Sequence, residues 1–424
     1  MPHIQQLSPH VADLIAAGEV VERPASVVKE LLENAIDAGA QSVTVEMKNG
    51  GMTYLRVSDD GCGIAPSELP TAFLRHATSK LRTAEDLAAI GTLGFRGEAL
   101  ASIASVARVE VLTRTADAEC ASVYHIEGGE EQPMEPGARG VGTTIRVRDL
   151  FYNTPARMKF LKKDSSEGTF VADIVAHVAL SHPEVSFKFV REGKLQYVTP
   201  GDGQLRSAAY AVLGREFSRD LVEVDNQEGV YRVRGLITQP KSCRASRSMQ
   251  YFYINGRYVR NRTMMAGMEM AYKGTMMQGK FPGGILLLEM PADLVDVNVH
   301  PQKSEVRFRD SAQVHSFVSR AISEALAKSC ETGESGASLL PQAESGSPQI
   351  NEPSAAALRE ASFPKNFRAK TGQSFGTKPK PLSASEWLNV FATKPKEAQT
   401  EKPAAPAPLE RPAAPVVTET TAAD

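Results

Sequence analysis

Hydrophobic and polar positions first form a regular pattern between residues 27 and 38. Apolar residues recur there at the 100° spacing that puts them on one side of an α-helix. Glu30, Asn34 and Asp37 fall on the opposite side, one turn apart. Gly39 follows as a natural C-cap, so the pattern predicts a helix that ends there.

The next residues alternate with the period of a β-hairpin. Residues 43–47 and 55–57 alternate between apolar and polar, and Asn49-Gly50 between them predicts a hairpin turn. The second strand runs directly into residues 59–63, which read DDGCG. Because a helix followed by a hairpin differs from the order of a doubly wound sheet, we expect a helical layer on a mostly antiparallel or mixed sheet.

A second globular region is predicted between residues 205 and 330. The pattern predicts strands at 231–237, 250–254, 284–290 and 296–299, and helices at 205–213, 263–273 and 312–328. Charge separates the two regions, since residues 1–200 hold 20 basic and 26 acidic residues and residues 201–330 hold 18 and 13. The formal net charge of −2 therefore hides a basic second region.

The composition changes again after residue 330. Residues 331–424 contain 12 of the 26 prolines, which predicts a disordered Pro/Ala-rich linker. Residues 386–391 (EWLNVF) interrupt it with the only tryptophan, Trp387. This segment is either a chance hydrophobic island or a short docking segment for a partner.

Several protein classes are excluded by composition. No apolar run approaches the roughly 18 residues of a membrane span, and the N-terminus lacks the pattern of a signal peptide. The four cysteines are scattered without the spacing of a zinc site or a small disulfide framework. We therefore expect a soluble protein of a reducing compartment, with no membrane partner.

Three segments could carry chemistry. Glu30 and Asn34 lie at i and i+4 on one helix face, where they either converge on a ligand or belong to an ordinary solvated face. Residues 59–63 and 91–98 are glycine-rich loops, and the second precedes a helix-like run whose exposed N–H groups could bind an anion. Neither loop matches a Walker A or a Rossmann sequence.

The order of these segments resembles the ATPase superfamily of gyrase B, heat-shock chaperones, sensor histidine kinases and MutL. Residues 30–40 (ELLENAIDAGA) are similar to its first motif and residues 59–64 (DDGCGI) to its second. The segments that resemble the MutL branch are 76–80 (HATSK), 94–100 (GFRGEAL), 149–157 (DLFYNTPAR), 255–257 (NGR) and 297–303 (VNVHPQK). The resemblance extends over residues 1–330.

This resemblance implies an α+β fold in three parts. Residues 1–204 are expected to form a two-layer α/β sandwich ATPase domain of the GHKL type, the name for the superfamily of gyrase B, heat-shock chaperones, histidine kinases and MutL. Residues 205–330 are expected to form a smaller α/β transducer domain, and residues 331–424 the disordered linker. The family's C-terminal dimerisation domain, and the endonuclease motif that some members carry in it, have no counterpart in the sequence, so the chain is not expected to nick DNA.

MutL-like proteins are ATP-dependent matchmakers of DNA mismatch repair, and the resemblance assigns roles to individual residues. Glu30 is similar to the general base that activates water against the γ-phosphate, and Asn34 to the Mg²⁺ ligand. Asp59 is similar to the acceptor for the adenine amino group, and Lys303 to a catalytic lysine that reaches the γ-phosphate from the second domain. The other implied nucleotide contacts are Gly63, Thr78, Ser79, Lys80, Gly94, Phe95, Arg96, Gly97, Glu98, Ala99, Leu100 and Thr143.

The resemblance also implies partners and a working cycle. In the family, ATP binding orders a lid, orients the two domains and drives dimerisation of the N-terminal regions, and slow hydrolysis reopens the clamp. The implied partners are a second copy of the chain, DNA held by its backbone, a MutS-like mismatch sensor, and a downstream nuclease and helicase. The implied location is the nucleoid of a bacterial cytoplasm.

One basic stretch is a candidate for the DNA contact. Between residues 241 and 262 the sequence has six basic residues and no acidic one. They could hold the DNA backbone without base specificity, or they could be an ordinary solvated surface that includes structural arginines. The six residues are Lys241, Arg244, Arg247, Arg257, Arg260 and Arg262.

Two departures and two alternatives complete the sequence picture. Asp60 stands where the family commonly has Asn, and Glu269 stands where a basic residue facing DNA is expected. The alternative functions are a gyrase B-like topoisomerase ATPase module and a non-catalytic DNA-binding scaffold. The segments at 143–157 and 250–303 favour MutL over the topoisomerase module, and Glu30 argues against the non-catalytic scaffold.

Overall fold

The computed structural model describes residues 17–18, 20–78, 97–296 and 306–331. All of them belong to a unit that extends from Met1 to Glu344. The Trp387 segment and residues 297–299 of the last predicted strand lie outside the described residues.

Helices and strands of the first region follow one another in the order α1–β1–β2–α2–α3–β3 to β7–α4–α5–β8–β9. The helices are α1 (Pro24–Asp37), α2 (Leu69–Ala72), α3 (Ala99–Val106), α4 (Pro155–Met158) and α5 (Asp164–Ser181). The strands are β1 (Ser42–Lys48), β2 (Tyr54–Asp59), β3 (Arg108–Arg114), β4 (Ala121–Glu127), β5 (Glu130–Glu131), β6 (Glu135–Gly137), β7 (Gly142–Arg148), β8 (Ser186–Arg191) and β9 (Lys194–Val198).

These strands form one mixed sheet. Its order is β5-β4-β3-β7-β2-β1-β8-β9, and β6 pairs with β4. Strands β1 and β8 are parallel, whereas the other neighbours are antiparallel. The predicted hairpin is present, but its strands are joined by residues 49–53, which begin with the 3₁₀ turn Asn49–Gly51, instead of a two-residue turn.

Helices α1, α3 and α5 cover one face of this sheet. The alternate residues Val43, Val45 and Met47 of β1 are fully buried against them. The opposite face is polar, and Arg56 pairs with Glu46 there at 2.9 Å. The expected two-layer α/β sandwich is confirmed, because only one face of the sheet is apolar.

The second region contains a smaller sheet with helices on both faces. Its helices are α6 (Leu205–Leu213), α7 (Arg215–Ser218), α8 (Arg262–Ala271) and α9 (Ser311–Glu331). Its strands are β10 (Leu221–Glu228), β11 (Tyr231–Thr238), β12 (Gln250–Ile254), β13 (Arg257–Val259) and β14 (Gly284–Glu289), and a short ribbon of β15 (Val295–Asp296) and β16 (Arg307–Phe308) lies apart. The order of the sheet is β10-β11-β14-β12-β13, with β12 and β14 parallel.

The central strand β14 is buried from both sides. Leu286 and Leu288 belong to the core beneath α8 and α9, and Ile285 belongs to a second core that includes Ala208 and Ala209 of α6. Gly235 of β11 permits the close pairing, since a Cβ there would lie 1.9 Å from the carbonyl oxygen of Ile285. None of the helices in the described ranges is long and apolar enough to cross a membrane.

Candidate functional site

Helix α1 carries Glu30 and Asn34 on the face that is not packed in the core. Its other face is buried through Val27, Val28, Leu31, Leu32 and Ala35. The helix ends in a Schellman motif, in which the N–H of Gly39 donates to the Ile36 carbonyl and that of Ala40 to the Ala35 carbonyl. Gly39 adopts φ +73°, as its predicted C-cap role requires.

Glu30 belongs to a small charge cluster on α1. Lys29 Nζ lies 3.3 Å from Glu30 Oε1 and 2.9 Å from Glu33 Oε1. The Glu30 side chain is about a quarter exposed, at 26%, whereas that of Glu33 is nearly covered. Burial raises the pKa of the Glu33 carboxyl, and the ammonium of Lys29 opposes that shift. Lys29 is therefore shared between a buried carboxylate and the candidate base.

The second motif is attached directly to the end of α1. The N–H of Cys62 donates to the Ala38 carbonyl at 3.0 Å. A Cβ at Gly61 would lie 2.8 Å from both the Cβ and the carbonyl oxygen of Ala38. The glycine thus allows β2 to end against the helix that carries Glu30 and Asn34.

Asp59, the last residue of β2, has a carboxylate fixed by main-chain donors. Its Oδ1 accepts N–H groups from Gly61 at 3.0 Å and from Thr143 at 3.2 Å. Burial raises the pKa of Asp59, and these two hydrogen bonds and the nearby Arg139 guanidinium oppose the shift. A partly buried carboxylate held in this way has a defined orientation for a further hydrogen-bond donor.

The carboxylate of Asp60 binds other main-chain groups than that of Asp59. Its Oδ1 accepts the N–H groups of Gln41 and Ser42, both at 2.8 Å, at the start of β1. The departure from Asn at this position therefore concerns a structural contact between the two ends of the hairpin.

Gly63 brings the main chain close to β3. It adopts φ +77°, and a Cβ there would lie 2.1 Å from the carbonyl oxygen of Arg114. The next N–H, that of Ile64, donates to Thr113 Oγ1 at 2.9 Å. Thr113 also contacts Thr143 Oγ1 at 3.1 Å, so the loop and the strand β7 share one polar cluster.

The start of α3 lies beside residues 76–78. Gly97 has φ +61°, and a Cβ there would lie 2.5 Å from the Ala77 carbonyl oxygen. Glu98 pairs with His76, Nδ1 to Oε1, at 3.3 Å. Thr78 therefore lies close to the first turn of α3, to which Ala99 and Leu100 belong. The predicted site residues Ser79, Lys80, Gly94, Phe95, Arg96 and Lys303 lie outside the described residues.

Arg139 is a residue of this site that the sequence did not single out. Its Nη2 donates to the Asp59 carbonyl oxygen at 2.7 Å. Only its place in the segment RGVGT, just before the two glycines and Thr143, could have drawn attention to it.

The six basic residues divide into two groups. Lys241 lies 3.7 Å from Asp220, Arg244 pairs with Glu216 at 3.0 Å, and Arg247 pairs with Glu269 in a bidentate contact. Arg247 also stacks over the Phe281 ring at 4.0 Å.

Arg244 lines a cleft of about 600 Å³ that Arg219 and Lys280 also line. Arg262 is an exposed residue at the start of α8.

Arg257 and Arg260 instead lie towards the first region. The charge of Arg257 acts on the Glu33 carboxyl, and that of Arg260 acts on Asp173 and His177 of α5. At this junction His177 stacks on Tyr258, with ring centroids 3.6 Å apart, and its carbonyl accepts the Tyr253 hydroxyl at 2.8 Å. Burial lowers the pKa of His177 to about 4.

Two family models match the chain, one in each of the two structural regions. Residues 22–134 match the family described as histidine kinase-, DNA gyrase B- and HSP90-like ATPase. Residues 209–327 match the family described as DNA mismatch repair protein, C-terminal domain.

The chain is also similar to named mismatch repair proteins. It is 47% identical over 315 residues to the DNA mismatch repair protein MutL of Agathobacter rectalis, covering 74% of this chain and 48% of that protein. It is 46% identical over 324 residues to the MutL of Thiobacillus denitrificans, covering 76% and 54%. The chain thus spans about half the length of these relatives.

Solved structures share the fold. The N-terminal domain of a DNA repair protein has a TM-score of 0.65 and 28% identity, with 76% of this chain and 100% of that chain covered. The Aquifex aeolicus MutL ATPase domain complexed with ADP has a TM-score of 0.52 and 24% identity, with 70% and 98% covered.

Proposed function

The chain belongs to the MutL family, of which it carries the N-terminal GHKL ATPase and transducer domains, and we propose that it is an ATP-driven switch of DNA mismatch repair. In this proposal it binds ATP with Mg²⁺, dimerises through its N-terminal region, and hydrolyses the nucleotide slowly to reopen. The observation that carries the proposal is the attachment of the Asp59 loop to the end of the helix that bears Glu30 and Asn34.

Two ends of the proposed nucleotide site can be distinguished. The adenine end consists of Asp59, Gly61, Gly63 and Thr143, and Asp59 accepts the amino group of the base. The hydrolysis end consists of Glu30 and Asn34 on α1. Gly97–Leu100 at the start of α3 contribute main-chain N–H groups to the phosphates, as helix N-termini commonly do.

Hydrolysis follows from the chemistry of the hydrolysis end. A water molecule attacks the γ-phosphorus, and the bond from that phosphorus to the bridging oxygen breaks, leaving ADP and phosphate. The proton of the attacking water passes to the Glu30 carboxylate. Lys29, 3.3 Å from Glu30 Oε1, restricts the orientation of that carboxylate.

The residues present suit a magnesium ion that arrives with the nucleotide. Asn34 is half-buried on the face of α1 that bears Glu30, and it carries a neutral amide oxygen. Mg²⁺ in nucleotide sites is commonly held by one or two protein oxygens together with phosphates and waters. The ion would neutralise charge on the phosphate oxygens.

The same proposal includes three further roles. Thr78, Ser79 and Lys80 are assigned to the lid, and Gly94, Phe95 and Arg96 to phosphate contacts. Lys303 is assigned the role of the lysine that reaches the γ-phosphate. They rest on the sequence resemblance. So do the MutS-like mismatch sensor and the downstream nuclease and helicase.

The experiment for the switch is sedimentation velocity of the full chain, with parallel ATPase assays. We expect a monomer without nucleotide, a dimer with a non-hydrolysable ATP analogue and Mg²⁺, and slow ATP turnover. A chain that neither hydrolyses ATP nor changes its sedimentation with the analogue would contradict the proposal. A nucleotide-dependent dimer without turnover would instead favour the non-catalytic scaffold.

For DNA, we propose a backbone contact through Lys241, Arg244, Arg247 and Arg262. The cleft lined by Arg244 supports it, although Glu216 and Glu269 compete for Arg244 and Arg247. Arg244→Glu combined with Arg247→Glu is expected to weaken binding equally for all sequences, and to lower the salt slope by about one per lost phosphate contact. A salt slope equal to that of the wild type would contradict this surface.

A further inference from the structure

Arg139 joins three strands behind the adenine end. Its Nη2 donates to the carbonyl oxygen of Asp59 at 2.7 Å, at the end of β2. Its Nη1 donates to the Leu112 carbonyl of β3 and to Thr144 Oγ1 of β7, both at 3.0 Å. One guanidinium therefore fixes the relative positions of the strand that ends in Asp59 and the strand that supplies the Thr143 N–H.

The space for this guanidinium is provided by Gly142. A Cβ at Gly142 would lie 2.3 Å from the Asp59 carbonyl oxygen and 2.9 Å from Arg139 Nη2. The Arg139 carbonyl is itself held by Arg114 Nη1 at 3.2 Å. The arginine thus occupies a closely bounded position between β2 and β7, in which its planar fork of donors matches several carbonyl and hydroxyl acceptors.

The charge of Arg139 is also placed where it acts on the base-binding carboxylate. Burial lowers the pKa of Arg139, and the nearby Asp59 and Asp60 raise it. Reciprocally, the guanidinium opposes the effect of burial on Asp59. A neutral side chain of the same length could fill the position, but it would not supply this charge.

We propose that Arg139 is a positioning residue for base recognition, which holds the end of β2, and with it Asp59, against β3 and β7 and thereby sets the preference of the site for a purine with an exocyclic amino group. The inference rests on the proposed ATP site and adds to it a residue that does not touch the nucleotide.

The test compares two nucleotides in the full chain, ATP and purine riboside triphosphate, which lacks the amino group. Dissociation constants for both, and kcat for ATP at saturation, are measured for the wild type, Asp59→Asn, Arg139→Met and Arg139→Lys. Arg148→Met is the matched control, because Arg148 is an exposed arginine of β7 that pairs with Glu110.

We expect Arg139→Met to weaken ATP binding about tenfold, the order of a charge-assisted hydrogen bond, with little effect on the purine analogue. The ratio of the two affinities should approach that of Asp59→Asn, while kcat at saturation stays within about twofold, because Glu30 is untouched. Arg139→Lys should recover part of the ratio, and Arg148→Met should retain all of it.

The outcomes separate this inference from the proposed site. If Asp59→Asn keeps the wild-type ratio, the adenine end itself is wrongly assigned. If Asp59→Asn loses the ratio but Arg139→Met keeps it, the site stands and the inference is overturned. Equal weakening of both nucleotides by Arg139→Met also overturns it, since that result indicates a general structural role. Should Arg139→Met fail to fold, Arg139→Gln, which also lacks the charge, takes its place in the same comparison, and a wild-type ratio in that variant overturns the inference.

Discussion

At the adenine end, the Asp59 carboxylate is fixed by main-chain N–H groups from two separate segments, whereas at the hydrolysis end Glu30 is oriented by a side-chain neighbour on the same helix. The first arrangement depends on how β2 pairs with β7, and the second on one helix alone. Binding and turnover should therefore respond to different substitutions. A substitution at one end should leave the quantity that depends on the other end nearly unchanged.

The largest effect is expected for Glu30→Gln. Loss of a positioned general base commonly lowers turnover by about 10²–10⁴-fold. ATP binding should be retained, because the adenine end is unchanged and the amide has the size of the carboxylate. Steady-state hydrolysis together with equilibrium ATP binding measures both quantities. Hydrolysis at the wild-type rate would disprove the assignment of Glu30.

Gly63→Ala should damage the adenine end through steric conflict. Gly39→Ala is the matched control, since Gly39 has φ +73° and nothing within 4 Å of its Cβ position, whereas Gly63 has φ +77° and the Arg114 carbonyl oxygen at 2.1 Å. Both should pay about 1–2 kcal/mol for left-handed backbone, and Gly63→Ala about 1–3 kcal/mol more for the overlap. Denaturant unfolding and ATP affinity are the measurements. Equal losses in the two variants would show that the close approach is unimportant.

A smaller effect on affinity is expected for Asp59→Asn. Replacing a charged hydrogen-bond acceptor should weaken ATP binding by about 1.5–3 kcal/mol, or roughly 10- to 150-fold. Turnover at saturating ATP should remain near that of the wild type. A variant with normal affinity but low turnover would place Asp59 at the wrong end of the site.

The smallest effect is expected for Lys29→Met. Lys29 contacts Glu30 and Glu33 and has no role of its own in the proposed nucleotide site, so kcat should fall by less than about fivefold, in line with a partly exposed ion pair. Lys29→Arg should restore most of the rate, because it retains the charge. If Lys29→Met raises KM and leaves kcat unchanged, Lys29 does not act through Glu30.

The difference between contacts within one helix and contacts between strands also explains which features the sequence could predict. Helix α1 and the β1–β2 hairpin were predicted well, because their apolar positions repeat within a few residues and both elements are buried on one face. Glu30 and Asn34 share a face of one helix, so spacing alone brings them together. The turn was predicted too short, since Asn49, Gly50 and Gly51 all have positive φ and form a longer connection.

The adenine end could not be assembled from local pattern. Thr143 and Arg139 reach Asp59 across strand pairs separated by 84 and 80 residues in sequence. Helix α5 was missed altogether, because it packs against α1 and also contacts β13, so its apolar residues are not confined to one stripe. Strand β10 was missed because only its first half is apolar and its second half is exposed.

The most direct test of this account measures ATP affinity and saturating turnover together for Glu30→Gln and Asp59→Asn in the full chain. We predict that the two variants lose different quantities. Glu30→Gln should bind ATP like the wild type without turning it over, and Asp59→Asn should bind ATP weakly but turn over bound ATP at nearly the normal rate. If both variants lose the same quantity to the same extent, binding and hydrolysis are not divided between the two ends, and the proposed roles of Glu30 and Asp59 are wrong.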